Sequence, residues 1–157
     1  MAKDAIELLI DDHNEVKRLF NEILEGDAED NEETFVQLKN ALLAHSRIEL
    51  EIFYPRVQEK VDNGRDMIAD AKEDHRKVEE MLTTLEETGV DGDDFETNLR
   101  TLQRAVLDHA ENDEEKKMFV QAKQKMTNRD LEELGRQMRD RKMEVMRELG
   151  ASAPTAR

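Results

Sequence analysis

The side chains best suited to chemistry in this sequence are its four histidines: His13, His45, His75 and His109. Each falls on an apolar stripe of helical spacing, so all four imidazoles are expected to face a common interior. Glu49 follows His45 by four residues and Asp113 follows His109 by four, which places each carboxylate on the same helix face as its histidine. Because an unpaired buried acid is very costly, the pattern predicts that these groups hold metal.

The donor types narrow the choice of metal. Imidazole and carboxylate without thiolate suit Fe, Mn, Zn or Ni, and carboxylate-rich helical bundles that hold two metals favour iron by analogy. The sequence contains no cysteine, which excludes disulfides, zinc–thiolate sites, Fe–S clusters and thiol catalysis.

The elements that must position these donors are helices. Apolar residues recur at steps of three and four in five segments: Ile6–Ile23, Phe35–Ile52, Ile68–Leu85, Phe95–Asp113 and Leu131–Leu149. We therefore predict an all-α fold, an antiparallel up-down-up-down four-helix bundle with a short C-terminal fifth helix packed at one end. A single domain spans 1–150, with the metal-binding bundle at about 3–120, the fifth helix at about 128–149 and a disordered tail at 151–157.

The amino-acid composition limits the classes of partner that the protein can bind. The chain has 157 residues, 40% of them charged, and a net charge of −15, which disfavours nucleic acid and anionic membrane surfaces. No apolar run approaches the roughly 18 residues of a membrane span. We expect a soluble, unprocessed, cytoplasmic protein with a small-molecule oxidant or gas as its ligand; a monomer is favoured, although the sequence does not determine the oligomeric state.

The arrangement of the donors resembles the hemerythrin-like HHE cation-binding domain over about residues 3–120. The motifs that carry the resemblance are Asp-Asp-His13, His45-Ser-Arg-Ile-Glu49, Glu-Asp-His75 and His109-Ala-Glu-Asn-Asp113. The resemblance implies a non-haem diiron centre, oxo- or hydroxo-bridged, with the four histidines as terminal ligands. It also implies that Glu49 and an acidic residue of the fourth helix bridge the ions, and that oxygen species or nitric oxide bind there.

Two acidic positions remain open. Helical phase favours Asp113 as the second bridge, but a bulge of one residue would bring Glu114 to the metal, the longer spacing that oxygen-carrying hemerythrins use. Those carriers also place two histidines four apart on the third helix, where this chain has His75 and Glu79. Glu79 is either a solvated flanking residue or a substitute ligand.

Tyr54, the only tyrosine, directly precedes Pro55, which removes a helical N–H and clashes with the preceding turn. In a regular helix Tyr54 would point away from His45 and be a partly exposed aromatic near a helix break. Alternatively, a π-bulge at Pro55 swings the phenol inward, as a hydrogen-bond donor beside the ligands or as a phenolate ligand.

Counting donors leaves about two open positions on a pair of octahedral irons, which favours inner-sphere reaction with peroxide or nitric oxide over reversible oxygen carriage. The predicted function is therefore that of a diiron oxidoreductase, catalase-like or nitric-oxide-detoxifying. The alternative is a sensor or carrier of gas or iron that binds without turnover. A metal-free structural bundle would require the buried acids and imidazoles to satisfy one another.

Overall fold

The computed structural model describes residues 3–26 and 31–152, and within those ranges the regular structure is helical, with no strand. Seven α-helical stretches are described: α1 (Ala5–Glu25), α2 (Asn31–Ile48), α3 (Tyr54–Lys60), α4 (Gly64–Thr88), α5 (Phe95–Asp108), α6 (Phe119–Lys125) and α7 (Asn128–Ser152). The predicted all-α class is confirmed. Most of the predicted tail, from residue 153 onward, lies outside the described residues.

Two π-helical segments interrupt the regular spacing. The first, Glu49–Phe53, joins α2 to α3, and the second, His109–Met118, joins α5 to α6. The backbone N–H of Tyr54 donates to the carbonyl of Glu49, and that of Phe119 donates to the carbonyl of Glu114, each across five residues. Each π turn takes in an extra residue and changes which side chains face the interior.

Pro55 accounts for the position of the first π segment. The proline ring lacks an N–H and would clash with the carbonyl four residues earlier in a regular α-helix. The second π segment contains no proline; its sequence, HAENDEEKKM, is where the apolar periodicity fades.

The helices enclose two apolar cores with the histidines between them. The core around Phe53 includes the following buried residues: Leu9, Ile48, Val57, Ile68, Met118 and Phe119. The core around Leu99 includes these: Val16, Phe20, Leu38, Leu42, Leu82 and Leu102. Burying each large apolar side chain contributes about 1.5–3 kcal/mol, so two cores help to offset the cost of the polar layer between them.

Successive helices of the bundle pass through the two cores in opposite order. Helix α1 runs from the Phe53 core through His13 to the Leu99 core, and α2 runs from the Leu99 core through His45 to the Phe53 core. The same alternation repeats through His75 and His109. The up-down-up-down order stays a prediction, and this alternation favours it.

The fifth helix is longer than predicted. Helix α7 has 25 residues, as many as α4, and includes residues 151 and 152, which were predicted to be disordered. The prediction of a short helix was therefore wrong. It packs along α1 and α2, and it contributes Leu131, Leu134 and Met138 to the Phe53 core. The helix ends three residues beyond the predicted end at about 149, and it buries only a narrow apolar stripe.

Gly135 allows α7 to approach the start of α1. A Cβ at this position would lie 2.7 Å from the carbonyl oxygen of Lys3 and 2.8 Å from the carbonyl carbon of Asp4. Arg139, one turn later, donates to the Lys3 carbonyl at 2.8 Å. The contact is backbone against backbone, so a methyl group can be accommodated only if one helix moves.

No helix in the described part of the chain is long and apolar enough to cross a membrane.

We predict that Gly135→Ala destabilises the protein and Gly150→Ala does not. The added methyl group at 135 overpacks the junction of α7 and α1, which typically costs about 1–3 kcal/mol and lowers the Tm by several degrees. Gly150 lies in the same helix with nothing within 4 Å of its added Cβ, so alanine there is neutral or stabilises by about 0.5–1 kcal/mol. Thermal melts of both variants are the measurement; equal Tm values would show that α7 does not depend on this close approach.

Candidate metal centre

All four histidines direct their Nε2 atoms to two buried carboxylates. Nε2 of His45 lies 3.3 Å from Oε2 of Glu49, and Nε2 of His75 lies 3.1 Å from Oε1 of the same carboxylate. Glu114 is placed in the same way, with Oε1 3.0 Å from His13 Nε2 and Oε2 3.3 Å from His109 Nε2. Each carboxylate therefore has one oxygen on either side of the centre.

The donors form two overlapping groups. One contains His13 and His45 with both glutamates, the other contains His75 and His109 with both glutamates, and within each group the ligand atoms lie within 4.8 Å of one another. We call these groups the His13–His45 half and the His75–His109 half. Shared carboxylates between two sets of imidazoles are an arrangement suited to a pair of metal ions.

The centre has the features expected of a cation site. Both glutamate side chains are fully buried. The Oε2 atom of Glu49 makes no hydrogen bond within the described residues, although Nε2 of His45 lies 3.3 Å away. A buried carboxylate oxygen normally has a partner, and a metal cation would supply one while compensating the charge. Nitrogen and oxygen donors without sulfur fit Fe, Mn, Zn or Ni.

Each imidazole is also held from behind by its Nδ1 atom. His13 pairs with Glu115 at 2.6 Å and His45 with Asp12 at 2.9 Å. The other two contacts join His75 to Ser46 at 2.7 Å and His109 to Asp74 at 3.0 Å. Such outer partners fix the ring orientation of histidines that bind metals through the opposite nitrogen.

The sequence contained an unused signal for two of these outer partners. Asp12 and Asp74 each stand directly before a histidine, in α1 and α4, but each reaches the histidine of a different helix, 33 and 35 residues away. Adjacent positions in a helix point about 100° apart, so the aspartate next to a ligand faces the neighbouring helix. Asp-His occurs three times in the sequence, and in two of these pairs the aspartate is an outer partner. The third aspartate, Asp108, accepts a hydrogen bond from Asn112 instead.

Tyr54 points into the centre. Its side chain is fully buried, and its hydroxyl donates to Oε1 of Glu49 at 3.0 Å and to Oε2 of Glu114. The same oxygen lies 2.8 Å from Nε2 of His75 and 3.2 Å from Nε2 of His109. The structure therefore places the phenol inside, as the π-bulge hypothesis predicted, and the alternative of a partly exposed aromatic was wrong.

The acidic side chain of the second π segment that points into the centre is that of Glu114 rather than Asp113. Helical phase favoured Asp113, but His109 begins a π segment, and the wider turn brings the residue five positions on to the interior. Asp113 is instead 45% exposed, with Oδ2 3.6 Å from the outward-facing Nδ1 of His109. It belongs to a separate, partly exposed group with Asp74 and His109.

Glu79 lies outside both halves of the centre. Its side chain is exposed, although it lines the cavity beside the histidines. Of the two alternatives for Glu79, a solvated flanking residue or a substitute ligand, this placement fits the flanking residue.

The histidines and glutamates of the centre shift one another's pKa values. Burial opposes a charge on His45, but Glu49 and Asp12 raise its pKa well above the ordinary value. Burial also opposes a charge on His109, yet Glu114 and Glu49 raise its pKa to about 9. Burial by itself would raise the pKa of Glu49, but His45 and His75 hold it well below the usual range. A metal cation would replace the imidazolium protons as the compensating positive charge.

Tyr54 keeps its proton in this environment. Burial, together with the neighbouring charges of Glu114 and Glu49, raises the pKa of Tyr54 well above its ordinary value. The phenol is therefore a hydrogen-bond donor to both carboxylates in the metal-free protein. A bound metal cation would displace its proton.

A cavity of about 50 Å³ adjoins the centre on the side of the Leu99 core. Its walls combine the four histidines and Glu49 with apolar side chains, among them Val16, Leu42, Leu82 and Val106. This volume has room for a few water-sized molecules.

We predict that Glu114→Gln removes bound metal and that Asp113→Asn does not. Glutamine keeps the side-chain volume but loses the charge and one of the two oxygens, so metal affinity should fall by more than about tenfold. Metal per chain, measured by elemental analysis after equilibrium dialysis, is the test. Circular dichroism checks that both variants fold. Loss of metal in Asp113→Asn with retention in Glu114→Gln would contradict the placement of the two acids.

Comparisons with known proteins agree with this geometry. The model of the hemerythrin HHE cation binding domain matches residues 4–122. The crystal structure of a hemerythrin HHE cation binding domain-containing protein from Mycobacterium kansasii superposes with a TM-score of 0.83 at 27% identity, covering 99% of this chain and 95% of that chain.

A protein of Nostoc sp. named DNA nickase is 28% identical over 149 residues, which are 92% of this chain and 41% of the Nostoc protein. This chain thus spans less than half the length of that relative. The family model covers most of the chain, including all four histidines and both buried glutamates. The chain belongs to the hemerythrin HHE cation-binding domain family.

Proposed function

We propose that the protein binds two iron ions and reacts with small oxidants such as hydrogen peroxide, nitric oxide or dioxygen. The observation that carries the proposal is the pair of donor groups that share both Glu49 and Glu114. One ion would be held by His13 and His45 and the other by His75 and His109, with the two carboxylates common to both.

Tyr54 makes the two halves different. Its oxygen lies within 3.2 Å of both Nε2 atoms of the His75–His109 half, so it would supply a phenolate to the ion there. Phenolate is a hard oxygen donor and suits a ferric ion.

Bound iron would supply a redox-active Lewis acid with coordination positions open to a small molecule. The chain's own residues would bind the ions and orient the side chains that hold them. Outer partners hold the four rings with Nε2 inward. The shared carboxylates fix the spacing of the two halves, and without metal the Tyr54 hydroxyl donates its proton to them.

The cavity favours small reactants. Apolar side chains form much of its wall, and about 50 Å³ accommodates diatomic or peroxide-sized molecules. Disproportionation of two peroxide molecules to two waters and dioxygen needs no other reactant, so it is the simplest activity that this site could support.

The alternative is a sensor or carrier that binds a gas or iron without turnover. It rests on the coupling of metal to folding that a buried ligand set implies, because loss of metal would leave two fully buried glutamates dependent on imidazolium partners.

The name of the Nostoc relative does not favour a nucleic-acid substrate here. The net charge of −15 repels phosphate backbones.

We predict that the iron-loaded protein evolves dioxygen from hydrogen peroxide over many turnovers per site. Oxygen-electrode traces are compared for the wild-type chain and for Ala110→Leu. Ala110 is a buried residue that lines the cavity, and leucine there should fill the space and slow turnover without removing iron. Two irons per chain with stoichiometric binding and no turnover would favour the sensor or carrier, and zinc or no metal in protein purified without added metal would refute the redox proposal.

We also predict that Tyr54→Phe removes a visible absorption band from the ferric protein. Phenolate bound to ferric iron gives a charge-transfer band, whereas a phenol that only hydrogen-bonds to carboxylates does not. Phenylalanine preserves the buried ring, so iron per chain should stay the same. An unchanged spectrum in this variant would show that Tyr54 is not a ligand.

A further inference from the structure

We infer that Lys142 of α7 is a positioning residue for the His13–His45 half of the centre, acting through Asp12 and His45. The inference rests on the two-ion arrangement of the proposed function. It assigns to the fifth helix, which lies beyond residues 4–122 matched by the family model, an indirect part in metal binding.

A short chain of contacts joins α7 to the centre. The Nζ atom of Lys142 pairs with Oδ1 of Asp12, and the other oxygen of that carboxylate, Oδ2, lies 2.9 Å from Nδ1 of His45. The opposite nitrogen of His45 faces Glu49. One carboxylate thus connects a surface cation to a ring that faces the metal position.

Burial makes Asp12 dependent on these two partners. Only 6% of its side chain is exposed, so water does little to stabilise its charge. With Lys142 removed, the carboxylate loses the partner that fixes one of its oxygens and can turn away from His45.

The other outer partners are held differently. Glu115 and Asp74 are 27% and 34% exposed, so water helps to stabilise them, and Ser46 is a neutral partner for His75. Glu115 lies in the second π segment, Asp74 in α4 and Ser46 in α2. Loss of Lys142 should therefore weaken one half of the centre and leave the other unchanged.

The magnitude follows from the behaviour of outer partners of metal-bound histidines. Disturbing such a partner typically lowers metal affinity by 10–100-fold. Because Lys142 acts on the partner rather than on the ring, we expect about a tenfold loss, near the lower end of that range.

The test is titration of the metal-free full chain with Co²⁺, followed by visible absorption and calorimetry. We compare wild type, Lys142→Met and Lys142→Arg, because methionine keeps an apolar stem without the charge and arginine restores the cation. Lys17→Met is the matched control. Lys17 is 34% exposed, close to the 35% exposure of Lys142, and pairs with Glu111 at 2.7 Å. In the described part of the chain neither Lys17 nor Glu111 is hydrogen-bonded to a histidine or to its outer partner, although Glu111 is near enough to His13 to interact with its charge.

We expect wild type and Lys17→Met to bind two Co²⁺ ions with the same affinities. Lys142→Met should bind one ion about tenfold more weakly, with a change in one set of d–d bands, and Lys142→Arg should restore both. Asp12→Asn should cause a loss of the same kind, and adding Lys142→Met to it should have little further effect, because both changes break one path.

Three results would overturn the inference. Equal weakening of both ions in Lys142→Met and Lys17→Met would indicate general electrostatics. Two normal affinities in Lys142→Met would show that Lys142 does not position the site, while the proposed function would stand. Binding of fewer than two ions by the wild type would refute the two-ion arrangement itself, and this inference with it.

Discussion

Two carboxylates with no exposure to water, Glu49 and Glu114, impose the constraint on which this fold depends. An ionised acid in a protein interior is tolerated only when positive charge and hydrogen-bond donors surround it. Four imidazoles and a phenol surround these two, and outer acids in turn hold three of the imidazoles. The apolar cores on either side provide the stability, while the polar layer between them requires a cation for full compensation.

The π segments make this layer geometrically possible. A regular α-helix repeats its inward face every three or four residues, which would place Asp113 inward and Tyr54 outward. The widened turns carry Glu114 and Tyr54 into the same space, five residues after His109 and Glu49 respectively. Irregular helix geometry at a functional site is thus the means by which the necessary donors meet.

Much of this could be predicted from sequence because periodicity and burial are linked. The all-α class and the inward positions of the four histidines and Glu49 follow from apolar spacing, and the donor types indicate a metal. Asp113 was favoured wrongly because periodicity assumes a uniform helix, and no residue in the second π segment signals its widening as Pro55 does in the first. The outer contacts of Asp12 and Asp74 depend on how helices face one another, which spacing within one helix does not reveal.

The two π segments end in related ways. Tyr54 stands five residues after Glu49 and Phe119 five residues after Glu114, and each ring packs against a histidine: Tyr54 edge-on to His75 and Phe119 stacked on His13, with centroids 5.4 and 5.9 Å apart. The two halves of the chain thus place an aromatic ring at the same point after the buried glutamate, and one of the two rings carries a hydroxyl group. Since phenol oxygen prefers harder, more highly charged ions, that group gives one half a preference the other lacks. In the proposed two-ion arrangement, the two metal positions would therefore differ in kind, and a mixed pair of metals would have a preferred orientation within the bundle.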